Sequence, residues 1–293
     1  MMLLDGKKVS QELRNEIAEE VKKFTANGNR APHLAAVLVG NNGASITYVN
    51  AKIKACEEVG FKSSLVRLSD TISQTELLAE VQKLNEDEEV DGFIVQLPLP
   101  DQIKEQKVIM AIDPKKDVDG FHPQNLGRMA LNMHAFVPAT PAGIIELLDR
   151  YNIETGGKHC VILGRSHIVG LPMSILMSRN TYPGNSTVTV CHSHTRNIED
   201  IIRSADILIA AVGRPNFVRG DMVKKGVVVV DVGITRIVDT SKKSGYKLVG
   251  DVHFDEVSQK AAFITPVPGG VGPMTIASLM KNTMISARRR IVK

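Results

Sequence analysis

The chain has 293 residues, 43% of them hydrophobic and 23% charged, with a formal net charge of +4. That length predicts two domains with proper cores, and the composition excludes a disordered chain and gives no general electrostatic reason to bind nucleic acid. No apolar run is long enough to span a bilayer and none follows the opening MMLLDGKKVS, so the chain reads as soluble, untargeted and cytoplasmic, without a membrane partner.

In chain order, a helix from Lys8 to about Ala26 precedes strand HLAAVLVG, a helix from Ser45 to Val59, strand SSLVRL, a helix from Ser73 to Asn85 and strand VDGFIVQL. Such alternation builds a largely parallel sheet covered by helices. Between Pro98 and Pro141 the pattern gives way to loop-rich sequence containing PKKDVDGFHPQN and FVPATP, and the domain junction is placed here. A helix from Ala142 to Tyr151 then leads into HCVILG, a helix from Val169 to Arg179, TVTVC, a helix from Ile198 to Arg203, ADILIAAVG and KGVVVVDVG, a second doubly wound unit. The last helix opens around Pro273 and runs to about Arg290, where Arg288, Arg289, Arg290 and Lys293 complement its dipole without calling for nucleic acid. Cys56, Cys160 and Cys191 have neither metal-ligand nor CxxC spacing and read as buried reduced thiols.

The second unit carries a dinucleotide signal. Strand HCVIL ends in Gly164-Arg165-Ser166, and Val169-Gly170 opens a helix, the order that suits a pyrophosphate. Ser166 replaces the middle glycine of GxGxxG, so this motif alone leaves dinucleotide binding open. An NAD site ends the next strand in Asp or Glu to hold the ribose 2′-OH, whereas here TVTVC runs into His192, Ser193, His194, Thr195 and Arg196. With no acid, and with Arg165, Ser193 and Arg196 available, a 2′-phosphate is the better guest, which favours NADP over NAD. His192 and His194 have no evident third metal ligand and read as polar turn residues, so no metal is expected.

In the first domain, Ile46, Val49, Ile53, Cys56 and Val59 form the apolar stripe of one helix, with Asn50, Lys54, Glu57 and Glu58 opposite. Lys52 falls inside the stripe, on the same side as Ser45 and Tyr48. Two readings stand: a lysine with its stem on apolar surface and its ammonium in water, or an amine held in a cleft for proton transfer. Strand VDGFIVQ stops at Gln96 ahead of Pro98 and Pro100, which sets an amide at the carboxyl edge of the sheet. Asp117 and Asp119 in KKDVDG do not make a calcium loop, since Lys115 and Leu126 occupy the first and last ligand positions; either aspartate reads as an Asx turn or a catalytic carboxylate, and the turn is the commoner case. In ITPVPGGVGPMT, Ile264 to Thr275, five of the seven residues from Pro266 to Gly272 are Gly or Pro, more than a plain strand-to-helix connection needs. Such a loop at a helix start suits a ligand, although a structural turn has similar sequence.

Taken together and in this order, ASITYVNAKIKACEEVG, VQLPLP, PKKDVDGFHPQN, GRSHIVGLPM and ITPVPGGVGPMT resemble one family over essentially the whole chain. It is that of the bifunctional methylenetetrahydrofolate dehydrogenase/methenyltetrahydrofolate cyclohydrolases of the FolD type. The resemblance implies oxidation of 5,10-methylenetetrahydrofolate by NADP and hydrolysis of the 5,10-methenyl product to 10-formyltetrahydrofolate. It implies a three-layer α/β catalytic domain over residues 1–140, a Rossmann-like NADP-binding domain over 141–270, and a C-terminal helix over 271–293 returning to the first domain, in a homodimer. Carried across, Lys52 is the key catalytic residue, Tyr48 packs on the folate, Gln96 supports Lys52 and Asp119 holds the pterin. Ser45, Leu97, Pro266, Gly269 and Gly270 complete the implied substrate contacts. The implied cofactor contacts are Gly164, Arg165, Ser166, Val169, Ser193 and Thr195, with Ile234 near the nicotinamide. The chain departs from the family pattern where NNGAS replaces DNPAS and where His194 takes a position often held by Lys or Arg.

Overall fold

The structure is a computed structural model that describes residues 1–241 and 245–290; Lys293 lies outside the described residues. The chain divides into two compact units, one of residues 1–10 and 140–275 and the other of residues 11–139 and the chain from Ile276 onward. In chain order the first elements are β1 (Met2–Leu3), α1 (Gly6–Ala26), β2 (His33–Val39), α2 (Gly43–Val59), β3 (Lys62–Leu68), α3 (Gln74–Glu86) and β4 (Gly92–Val95). Then come α4 (Glu105–Ala111), α5 (Pro123–Ala130), α6 (Ala139–Arg150), β5 (His159–Leu163), α7 (Gly170–Ser178), β6 (Thr187–Cys191), α8 (Ile198–Ser204), β7 (Ile207–Ala210) and β8 (Val228–Asp231). The last are β9 (Thr235–Val238), β10 (Tyr246–Val249), α9 (Phe254–Val257), β11 (Phe263–Ile264) and α10 (Val271–Arg289).

The three-stranded unit is built on a parallel sheet of order β3-β2-β4. Its central strand, HLAAVLV, is buried at all seven positions, as a parallel strand covered on both faces requires. Leu13, Ile17 and Val21 of α1, Val49, Cys56 and Val59 of α2, and Ala277, Met280 and Met284 of α10 share one core on this sheet. The C-terminal helix therefore packs with the N-terminal elements. Asn282 Nδ2 donates to the carbonyls of Val118 and Val137 at 2.8 and 3.0 Å, and Ser286 Oγ donates to the Asp91 carbonyl at 2.6 Å. The basic residues at its end have partners within the unit: Arg288 pairs with Glu20, Arg289 lies over the Phe136 ring and Arg290 bonds the buried Asp91 carboxylate.

The six-stranded unit holds a sheet of order β1-β11-β8-β7-β5-β6, parallel throughout. Strand order reverses at β5, with β6 on one side and β7 on the other, so the crevice for a ligand opens at the carboxyl ends of β5 and β7. In the other unit β2 is the point of reversal and the crevice opens between β2 and β4. A separate antiparallel hairpin joins β9 and β10.

Two features depart from the sequence reading. The passage between Pro98 and Pro141 holds α4 and α5, helices of seven and eight residues, too short to display a 3.6-residue period. Pro123 starts α5, and the His122 Nδ1 caps it by accepting from Gln124 N–H at 3.0 Å. Residues 1–10 lie in the six-stranded unit because β1 pairs with β11, a match of only two residues that no local pattern announces. All three cysteines are free and buried, and burial pushes the thiols of Cys56 and Cys160 up to about 12.

Candidate functional site

In the three-stranded unit Lys52, Gln96 and Asp119 come together at the carboxyl end of β4. Asn42 caps α2, its Oδ1 accepting from the N–H groups of Ala44 and Ser45 at 3.0 and 3.1 Å. This fixes the phase of the helix, so Ser45 and Lys52 are buried at 3% and 8% exposure while Lys54 faces solvent. Tyr48, one turn before Lys52, is 37% exposed. Lys52 Nζ donates to Gln96 Oε1 at 3.1 Å. The amide nitrogen of Gln96 is itself committed to the Leu97 carbonyl at 2.7 Å, which turns its oxygen towards the lysine. Gln96 N–H bonds the Val37 carbonyl, so the residue is the last rung of the β2–β4 ladder before the Leu97–Pro98 cis peptide.

Asp117 and Asp119 stand in different surroundings. Asp117 is 2% exposed and accepts from Phe121 N–H, His122 N–H and Asn125 Nδ2 at 3.2, 2.8 and 2.9 Å, so it shapes the loop; burial pushes its carboxyl up to about 6. Asp119 is half-buried; burial raises its carboxyl above the usual range and the charge of Lys52 pulls it back down. That attraction places Asp119 within electrostatic reach of Lys52. Asp119 also lines a small cavity with Phe93, Leu97, Val108, Ile112 and Phe121, between β4 and α4.

In the six-stranded unit the crevice is made of backbone. Gly164 follows β5 with φ +108°, and a Cβ there would stand 2.2 Å from the Ala211 carbonyl oxygen after β7. A Cβ on Gly170, the first residue of α7, would stand 2.1 Å from the Gly164 carbonyl oxygen. Strand, turn and helix thus approach to a distance that only glycine allows at both positions. Ser166 Oγ accepts from Val169 N–H at 3.2 Å, doing for the helix start what the missing middle glycine does not need to do. Arg165, Ser193 and Arg196 are exposed at the ends of the paired strands β5 and β6. His192 N–H donates to Thr195 Oγ1 at 2.8 Å and His194 N–H to His192 Nδ1 at 3.2 Å, so this stretch is a tied turn. Ile234, after β8, is 47% exposed.

Pro266, Gly269 and Gly270 lie in the loop between β11 and α10. Gly269 has φ +109°, and its carbonyl accepts from Lys7 N–H at 2.8 Å. A Cβ on Gly6 would stand 1.8 Å from the Gly270 carbonyl oxygen, so α1 begins flush against this loop. The loop has structural work of its own, which the Gly and Pro content alone does not separate from ligand binding.

A model of the tetrahydrofolate dehydrogenase/cyclohydrolase catalytic domain matches residues 4–119, and one of the NAD(P)-binding domain of the same proteins matches residues 138–291. The chain is 62% identical over 293 residues to the bifunctional protein FolD of Flavobacterium johnsoniae, covering 100% of this chain and 99% of that one. It is similar to the crystal structure of the FolD methylenetetrahydrofolate dehydrogenase/cyclohydrolase of Campylobacter jejuni, at 49% identity and TM-score 0.92 with 99% of each chain covered. A structure of the Trypanosoma brucei enzyme complexed with NADP cofactor and inhibitor matches at 40% identity and TM-score 0.94, covering 100% of this chain and 99% of that one. The chain belongs to the tetrahydrofolate dehydrogenase/cyclohydrolase family.

Proposed function

We propose that this protein oxidises 5,10-methylenetetrahydrofolate with NADP and hydrolyses the 5,10-methenyl product to 10-formyltetrahydrofolate. The observation that carries this reading is Lys52, buried at 8% exposure with its Nζ bonded to Gln96 Oε1 at the carboxyl edge of β4. A lysine on that face of a helix has no packing reason to be charged, whereas addition of water to a methenyl cation needs a group that takes and returns protons. In this reading Lys52 moves the proton, Gln96 orients the amine, Asp119 receives the pterin, and Tyr48 packs on the folate. Ser45 and Leu97 complete the substrate contacts in this unit.

The residues of the six-stranded unit fit a dinucleotide. The approach at Gly164 and Gly170 leaves a cradle without side chains, and no carboxylate stands at the end of β6, where Ser193, Thr195 and Arg196 lie beside Arg165 of the turn after β5. NADP, when bound, supplies the hydride acceptor; Gly164, Arg165, Ser166, Val169, Ser193 and Thr195 would hold it, with Ile234 near the nicotinamide. Hydride transfer then asks the protein for position more than for acid or base. The family resemblance also supports a homodimer, which sedimentation would detect, and buried reduced thiols accord with a cytoplasmic setting.

Purified protein given methylenetetrahydrofolate with NADP or NAD, with reduced cofactor, methenyl and formyl products followed separately, tests this. NADP-dependent appearance of methenyl and then formyl product is expected. Absence of folate turnover, or equal use of NAD, overturns the corresponding half of the assignment.

A further inference from the structure

Two buried aspartates of the six-stranded unit have no part in the roles above. Asp231 ends β8 and Asp251 follows β10, at 3% and 0% exposure. They lie in the segments Asp231-Val232-Gly233 and Gly250-Asp251-Val252, which interlock. Asp231 Oδ1 accepts from the N–H groups of Gly233 and Asp251, and Oδ2 from Val252 N–H, each at 2.9 Å. Asp251 Oδ2 accepts from Val212 and Gly213 N–H at 2.6 and 3.0 Å, just after β7. A methyl group on Gly250 would stand 1.8 Å from Asp231 Oδ2, and one on Gly233 2.5 Å from Asp251 Oδ1. Each segment therefore supplies a carboxylate that grips and a glycine that makes room for the other's carboxylate.

Burying two carboxylates is costly unless the structure gains order from their bonds. Here the bonds fix the backbone that borders the dinucleotide crevice. Val212 directly follows Ala211, whose carbonyl packs against Gly164, and Ile234 directly follows Gly233. Asp231 N–H also donates to Thr265 Oγ1 at 2.7 Å, tying β8 to the residue that opens the TPVPGG loop.

We propose that Asp231 and Asp251 are positioning residues for dehydrogenation, a paired brace that holds the loops after β7 and β8 in the shape that receives the nicotinamide end of the dinucleotide. The proposal rests on the NADP-dependent reading above. It assigns the two aspartates different tolerances. Both oxygens of Asp231 accept backbone N–H groups, so an amide at this position sets its NH2 against a donor whichever way it turns. Among the described residues Asp251 Oδ1 has no hydrogen-bond partner, so an amide at 251 keeps both bonds on its oxygen and meets no opposing donor.

The full-length proteins D231N, D251N and D251A, beside wild type, are compared for NADP KM and kcat in dehydrogenation, for hydrolysis of supplied methenyltetrahydrofolate, and for thermal unfolding. D231N and D251A should raise the NADP KM about tenfold or more, the cost of opposed or orphaned donors, with hydrolysis within about twofold of wild type. D251N should restore the KM that D251A loses. Should D231N not fold, the rescue of D251A by D251N decides alone. Equal effects of D251N and D251A, an unchanged KM in D231N, or parallel loss of both activities in folded D231N overturns the brace. Wild-type protein that hydrolyses the methenyl compound but does not reduce NADP defeats the functional reading instead.

Discussion

The crevice between β2 and β4 and the crevice between β5 and β7 arise from the same topological reversal, yet they work with different materials. The first presents side chains: Lys52 on a capped helix, Gln96 on the last rung of a strand, Asp119 on a loop tied by Asp117. The second presents the absence of side chains, with Gly164 and Gly170 letting strand, turn and helix meet at backbone distance. A site of the first kind is disabled by removing a functional group while the fold survives. A site of the second kind is disabled by adding an atom, and the addition strains the fold as well.

The largest effect is expected at Lys52. Lys52→Met keeps the stem in its apolar groove and deletes the amine, so hydrolysis of methenyltetrahydrofolate should fall by about 100-fold or more, the usual worth of a positioned proton-transfer group. Dehydrogenation should fall less, since it depends on position. Lys54, exposed on the opposite face of α2, is the control, and Lys54→Met should leave both rates within about twofold. Normal hydrolysis in the Lys52 variant, or a matching loss in the Lys54 variant, breaks the side-chain half of the comparison.

The backbone half is tested at Gly164. In Gly164→Ala the methyl group must displace the Ala211 carbonyl, and a left-handed φ of +108° adds strain of about 1–3 kcal/mol. NADP-dependent oxidation should drop by about tenfold or more and the melting temperature should fall, while hydrolysis of supplied methenyltetrahydrofolate is largely kept. A variant with unchanged NADP KM would show that the close approach is structural only.

Between these extremes stands Arg165, exposed at the turn after β5. Loss of a charge-assisted bond to a 2′-phosphate costs about 1.5–3 kcal/mol, so Arg165→Ala should reduce the preference for NADP over NAD by about 10- to 100-fold, mainly through KM. Specificity constants for the two cofactors in both proteins measure it. Equal preference in variant and wild type would remove Arg165 from phosphate recognition.

The two crevices also differed in how far their residues announce themselves. Lys52 is legible because a helical period fixes its face, and Gln96 because Pro98 ends the strand after it. Asp117 and Asp119 are not separable in sequence, since both sit in one loop; their surroundings differ only through three donors from residues 121–125 on one and the charge of Lys52 on the other. The glycine fingerprint looked incomplete at Ser166 because the pattern records residue types, whereas the geometry needs only Gly164 and Gly170 to meet and a hydroxyl at the helix start. The Asp231–Asp251 brace leaves no local trace at all. Its donors come from three segments distant in the chain, and a buried aspartate at a strand end reads like any turn residue.

The smallest effect is expected at Gly43, where the family pattern has proline. Gly43 is the first residue of α2, directly after the cap Asn42, whose φ of −61° and ψ of 119° match what a following proline demands. The cap uses the N–H groups of Ala44 and Ser45, so a proline ring at 43 takes no donor from it, and a Cβ there meets nothing within 4 Å. Gly43→Pro should therefore act on the unfolded chain, restricting it and stabilising the fold by about 0.4–1 kcal/mol. Because the capped helix already holds Tyr48 and Lys52 in place, both activities should stay within about twofold. A denaturant midpoint that rises with unchanged slope is the expected result. A midpoint that falls would mean that the glycine holds a backbone conformation proline cannot adopt, and that the loop before Tyr48 differs from the family pattern in shape as well as in sequence.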